Sequence, residues 1–220
     1  MGSNSKLRAY GWRWLRTSRD AGLSLVVLLW LGGVAVGFWL LTDYATRPSA
    51  LGAAPSQWPP ASHLRRSAMG KTLLMFVHPR CPCSEASIAE LFRIMEHQSA
   101  PIAAYVLFIQ PAGVPEEWTD TPLWRHARQI PGVIVRADSR GEEASRFAAE
   151  TSGQTLVYDA AGRLAFNGGV TAARGHYGEN RASDEVLALL RDDELGSGKA
   201  VVFGCPLGVK NKPCCESKHE

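Results

Sequence analysis

The chain of 220 residues is long enough for one core of about 100–150 residues with appendages, and its 45% hydrophobic fraction is that of a folded domain rather than a solvated chain. A net charge of +3 would fit a nucleic-acid binder only if the cations sat on the domain. Lys6, Arg8, Arg13, Arg16 and Arg19 instead crowd into the first twenty residues with Asp20 as the one acid, which leaves −1 for everything after them. No basic face remains for phosphate, so nucleic acid is excluded as a partner.

Residues 1–21 form the basic segment, and residues 22–41, "GLSLVVLLWLGGVAVGFWLL", follow without a charge. About twenty apolar residues at ~1.5 Å per residue cross a hydrocarbon core of ~30 Å. A cleaved signal peptide is the rival reading, since a basic segment precedes those too, but its apolar region is usually shorter and "TDYATRPSA" offers only weak cleavage sites. The cations stay on the cytoplasmic side, which predicts a single-pass anchor in the inner (plasma) membrane. Everything from Thr42 onward then lies in the periplasm or its extracytoplasmic equivalent. There disulfides can form, and all five cysteines, Cys81, Cys83, Cys205, Cys214 and Cys215, fall on that side.

Residues 42–69 read as a linker: Pro, Ala and Ser without a hydrophobic period over 42–65. The domain is expected over 70–192. "KTLLMFV" (71–77) is a nearly continuous apolar run, the mark of a strand covered on both faces. From Ser84, apolar residues at Ile88, Leu91, Phe92 and Met95 follow a helical period, with Ser84 or Ser87 as cap. A second strand spans 102–111, and "PLWRHARQI" (122–130) is a helix with Pro at its first position. A third strand covers 132–138 and a third helix 141–150. "QTLVYDAAGRLAFNGG" (154–169) is a hairpin turning at Gly162, and "SDEVLALLR" (183–191) is a closing helix with Ser183 as cap. The order β-α-β-α-β-α-β-β-α predicts an α/β domain with parallel units first and an antiparallel hairpin after. Residues 193–220 form a cysteine-containing tail expected to be loosely ordered at its end.

The chemistry concentrates in "HPRCPCSEAS" (78–87). Cys81 and Cys83 enter a helix at its positive end beside Arg80, with His78 three residues earlier, and each of these lowers a thiol's pKa. By position Cys81 is the attacking thiol and Cys83 the resolving one, and Pro82 fixes φ between them. A disulfide across one residue would be strained and easily reduced. An inert staple is the bland alternative, though so small a loop removes little chain entropy. A metal site is the other: His78, Cys81 and Cys83, with His176 from a later loop, make a soft set suited to copper. No cofactor is expected on the redox reading. Cys205, Cys214 and Cys215 could form a tail disulfide or a second thiol set relaying to the first.

The quoted motif, with "FAAETSG" (147–153) and "LVYDAAGRLAFNGG" (156–169), resembles the thioredoxin-like superfamily over about residues 70–192. Within it the chain is similar to the membrane-anchored TlpA/ResA-like group and to RedB-like proteins with a CPC motif. The resemblance implies a mixed sheet with flanking helices. It also implies thiol–disulfide exchange with extracytoplasmic protein thiols or disulfides. Where the family carries a cis-proline facing the dithiol, this chain places Gln154 or Thr155.

Overall fold

The computed structural model describes residues 4–98, 100–191 and 197–208, with side chains from residue 21 onward except that of Glu116. Two compact units divide at residues 44 and 45. The first consists of most of α1 (Asn4–Thr46), a 43-residue helix. Its stretch Ala21–Thr46 is apolar and long enough to cross a membrane. Leu28, Trp30, Phe38 and Leu41 are all more than half exposed. So much bare apolar surface is costly in water at about 25 cal/mol per Å² and is what a lipid-facing helix presents.

The second unit is built on five strands, β1 (Thr72–Val77), β2 (Ala103–Gln110), β3 (Val133–Ser139), β4 (Gln154–Tyr158) and β5 (Leu164–Gly168), in the order β3-β2-β1-β4-β5. β1 is central, parallel to β2 and antiparallel to β4, with Phe76 opposite Gln154. Its continuous apolar run has the expected cause, since both faces are covered. Leu73, Met75 and Val77 pack with Ile88, Leu91 and Ile94 of α2 (Cys83–His97) and with Val186 and Leu190 of α5 (Arg181–Leu190). Leu74 and Phe76 point the other way, into a cluster with Leu107, Phe147 and Tyr158. Burial of each such side chain contributes about 1.5–3 kcal/mol. The mixed sheet with flanking helices and the preceding apolar helix are those expected.

Several boundaries differ. α3 (Pro122–Ala127) stops short of residue 130 because Pro131 disfavours helical backbone before it. α4 (Glu142–Arg146) ends where Ala148 takes φ 51°. Asn180, not Ser183, caps α5, its Oδ1 accepting from the Ala182 and Ser183 amides at 3.1 Å each. Ser84 does not cap α2 either: Pro82 occupies the N-cap position without a side-chain bond.

The largest difference is the stretch expected as a linker. Residues from about 48 onward pack on the domain: Trp58 stands edge-on to Phe147 and Tyr158 at 5.0 and 5.3 Å, and Leu64 is buried. The backbone amide of Gly52 donates to Gln154 Oε1 at 3.3 Å, and its carbonyl accepts from Asn167 Nδ2 at 2.9 Å. The segment carries no hydrophobic period because it is an irregular strap that buries single residues. Part of the tail behaves likewise, with Val202, Phe203 and Leu207 buried.

Candidate thiol site

β1 delivers the chain to one end of the sheet at Val77, and a tight turn then starts α2. The Cys81 amide donates to His78 O at 3.1 Å, the Ser84 amide to Cys81 O at 3.1 Å and the Glu85 amide to Pro82 O at 3.3 Å. Pro82, at φ −60° and ψ −32°, enters the helix without an amide to satisfy. Cys81 is buried, and Cys83 is half-buried on the first turn.

A third cysteine joins them. The sulfurs of Cys81, Cys83 and Cys205 all lie within 4.8 Å of one another. Cys205 was expected either in a tail disulfide with Cys214 or Cys215 or in a second thiol set relaying to the first; the structure places it against Cys81, while Cys214 and Cys215 lie outside the described residues. The reason is in the backbone. The Ser152 amide donates to Cys205 O at 2.8 Å, Thr151 pairs with Pro206, and the Leu207 amide donates to Glu150 O at 2.9 Å. Ser49 Oγ and Arg174 Nη1 both donate to Gly204 O, at 2.8 and 2.6 Å. Gly204 is needed for this close approach, since a Cβ there would lie 1.9 Å from Ser152 O.

The environment separates Cys81 from Cys83. Hydrogen bonds from the Cys205 thiol, from Ser84, and from the backbone amides of Cys205 and Cys83 outweigh burial and hold Cys81 down to about 4. Cys81 is therefore a thiolate at neutral pH. Burial pushes Cys83 up, the Cys81 charge adds to this, and Arg174 works against both. Burial also lowers His78, against the pull of the Cys81 charge, so its imidazole is neutral at pH 7. The His78 ring stands edge-on to Trp118 at 5.5 Å, and the Arg80 guanidinium lies over the same indole at 5.2 Å.

Gln154 and Thr155 do not point their hydrogen bonds at the thiols. Gln154 binds Gly52, the Glu150 amide and Asn167, and Thr155 Oγ1 donates to Gly153 O. The residue that reaches the site is Ser152: its hydroxyl accepts from the His78 amide at 2.7 Å and meets Ser84 Oγ at 2.6 Å. Ser152 and Arg174 carried no sequence signal, being common polar residues in unremarkable contexts, and Ser84 was read only as a helix cap. His176 is exposed, its Nδ1 turned to Arg174 O at 3.0 Å. Among the described residues, the close group able to hold a metal is the three cysteines, without His78 or His176.

No family model and no curated protein matches the chain. Among solved structures it is similar to an uncharacterized conserved protein from Geobacillus kaustophilus, at 15% identity and a TM-score of 0.53 over 74% of this chain and 94% of that one. It is also similar to the exposed lipoprotein thioredoxin Etrx1 from Streptococcus pneumoniae, at 16% identity and a TM-score of 0.41 over 56% of this chain and 84% of that one. StoA from Bacillus subtilis matches at 13% identity and a TM-score of 0.41 over 63% and 97%. The domain is a mixed five-stranded sheet with flanking helices, a fold it shares with the Geobacillus protein.

Proposed function

We propose that this chain is a membrane-anchored, extracytoplasmic thiol–disulfide oxidoreductase whose Cys81 exchanges disulfides with protein partners. The observation that carries the reading is the acidic, hydrogen-bonded Cys81 sulfur at the start of α2 with the Cys83 thiol beside it. The Cys81 thiolate attacks one sulfur of a partner disulfide, forming a Cys81–partner disulfide and releasing the other partner sulfur as a thiolate. Cys83 stays protonated while Cys81 is charged. Once Cys81 enters a disulfide its charge is gone, and one cause of the raised Cys83 pKa goes with it. Cys83 then gives its proton to the released thiolate or to water and attacks Cys81, freeing the partner as a dithiol. Two electrons pass to the partner, and the reverse sequence oxidises it. The apolar stretch Ala21–Thr46 of α1 and the cations before it support a single-pass anchor with the N-terminus in the cytoplasm.

A second reading, copper handling, is favoured by one observation. Three sulfurs within 4.8 Å make a soft donor set for Cu(I), with Cys205 in the place that His78 and His176 were expected to fill. The two readings separate on the full chain in detergent. Catalysed exchange on a model protein disulfide, abolished by Cys81→Ser, supports the oxidoreductase. No turnover, with tight Cu(I) binding lost in the same variant, overturns it.

A further inference from the structure

Cys205 belongs to a built feature rather than a loose tail. Val202 to Leu207 is laid across the Glu150–Ser152 turn by three backbone contacts, and Ser49 and Arg174 clamp the carbonyl of Gly204. Five interactions from three parts of the chain thus fix residues 204–207, Cys205 among them. The result is a thiol aimed at the Cys81 sulfur from outside α2. Cys83 approaches differently: it lies two residues from Cys81 across a proline in helical conformation, with its sulfur also within 4.8 Å of the other two. Joining Cys81 to Cys83 closes a very small ring that Pro82 stiffens, whereas joining Cys81 to Cys205 closes a loop of more than a hundred residues and meets no such restraint. Cys81 is only 4% exposed, and its two flanking thiols are both half-buried.

We infer that Cys205 is a third exchange-active thiol, able to resolve the Cys81–partner disulfide by forming a Cys81–Cys205 disulfide. The inference rests on the exchange reading above. In the step, Cys205 loses its proton to water or to the departing thiolate, and its sulfur attacks Cys81. The Cys81–partner bond breaks, and the partner leaves as a thiol. The two electrons that reduce the partner disulfide come from the Cys81 and Cys205 thiols. The centre then has two alternative disulfides sharing Cys81, one at the entry to α2 and one tying the 202–207 strap to the site.

The test uses the full chain in detergent with Cys214 and Cys215 replaced by serine, so that neither competes. Cys83→Ser in that background leaves Cys81 and Cys205. After treatment with oxidised glutathione, the expected result is loss of both alkylatable thiols, a Cys81–Cys205 cross-linked peptide, and full recovery with dithiothreitol. Adding Cys205→Ser should instead leave glutathione attached to Cys81. Persistent glutathione on Cys81 with Cys205 still alkylatable in the Cys83→Ser protein overturns the inference. Cys83→Ala repeats the readout without a hydroxyl should the serine disturb the helix start. The parent with Cys81, Cys83 and Cys205 separates the two failures. If it cycles reversibly while the Cys83→Ser protein does not, the third-thiol role falls alone; if it does not cycle, the exchange reading falls with it.

Discussion

Cys205→Ala isolates the contact on which the thiol site turns. The substitution removes the thiol donor, the largest influence holding Cys81 near 4, and leaves the Cys205 amide, the Cys83 amide and Ser84 in place. A hydrogen bond to a charged group is worth about 1.5–3 kcal/mol, and about 1.4 kcal/mol equals one pKa unit. The Cys81 pKa should therefore rise by ~1–2 units and remain below the ordinary 9.0 of a free thiol, because the other donors persist. The assay is the ultraviolet absorbance of the thiolate, followed with pH in the parent and the variant. An unmoved midpoint would refute the idea that the Cys205 thiol donates to Cys81. A midpoint at the ordinary thiol value would refute the contribution assigned to the helix start and Ser84.

Other outcomes follow from the same structure. The Cys81 pKa is lower folded than unfolded, so its stabilising contribution is fully present above about 9 and lost as pH falls through about 4. The stability gap between the parent and Cys81→Ser, from denaturant titrations, should widen as pH rises between those limits. Ser152→Ala strips the His78 amide and Ser84 of a partner and should cost about 1–3 kcal/mol by denaturant titration; no loss would mean the hydroxyl is not structural. Gln154→Leu orphans buried groups at Gly52, Glu150 and Asn167 and should cost at least as much, while leaving the Cys81 titration unmoved. Deleting residues 1–41 should move the protein from the membrane pellet to the soluble fraction, and retention in the pellet would count against α1 as the anchor.

What was legible in the sequence was what regular periodicity reports. β1, β2 and the hairpin showed as apolar runs because each packs along its whole length. α2 and α5 showed as helical stripes for the same reason. Cys81 and Cys83 were found by their position between a strand and a helix. Cys205 was read only as one of three tail cysteines, without its place beside Cys81, because that place depends on backbone pairing between residues 150–152 and 204–207, far apart in the chain and without side-chain pattern. The strap before β1 was read as a spacer because Trp58 and Leu64 bury one at a time. Gln154 was assigned to the site by alignment of position alone, whereas its amide satisfies the backbone of that strap. The caps at Asn180 and Pro82 went to the residues that backbone geometry selected, one or more positions before the serines that sequence preference favoured.

The most direct test of the central claim is a redox titration of the full chain in detergent against a dithiol–disulfide buffer, with every cysteine mapped by alkylation and mass. The account predicts that Cys81 converts reversibly, as a two-electron couple, together with Cys83 or Cys205. Cysteines that stay reduced across the whole range, or a Cys81 that never pairs with either neighbour, would contradict it.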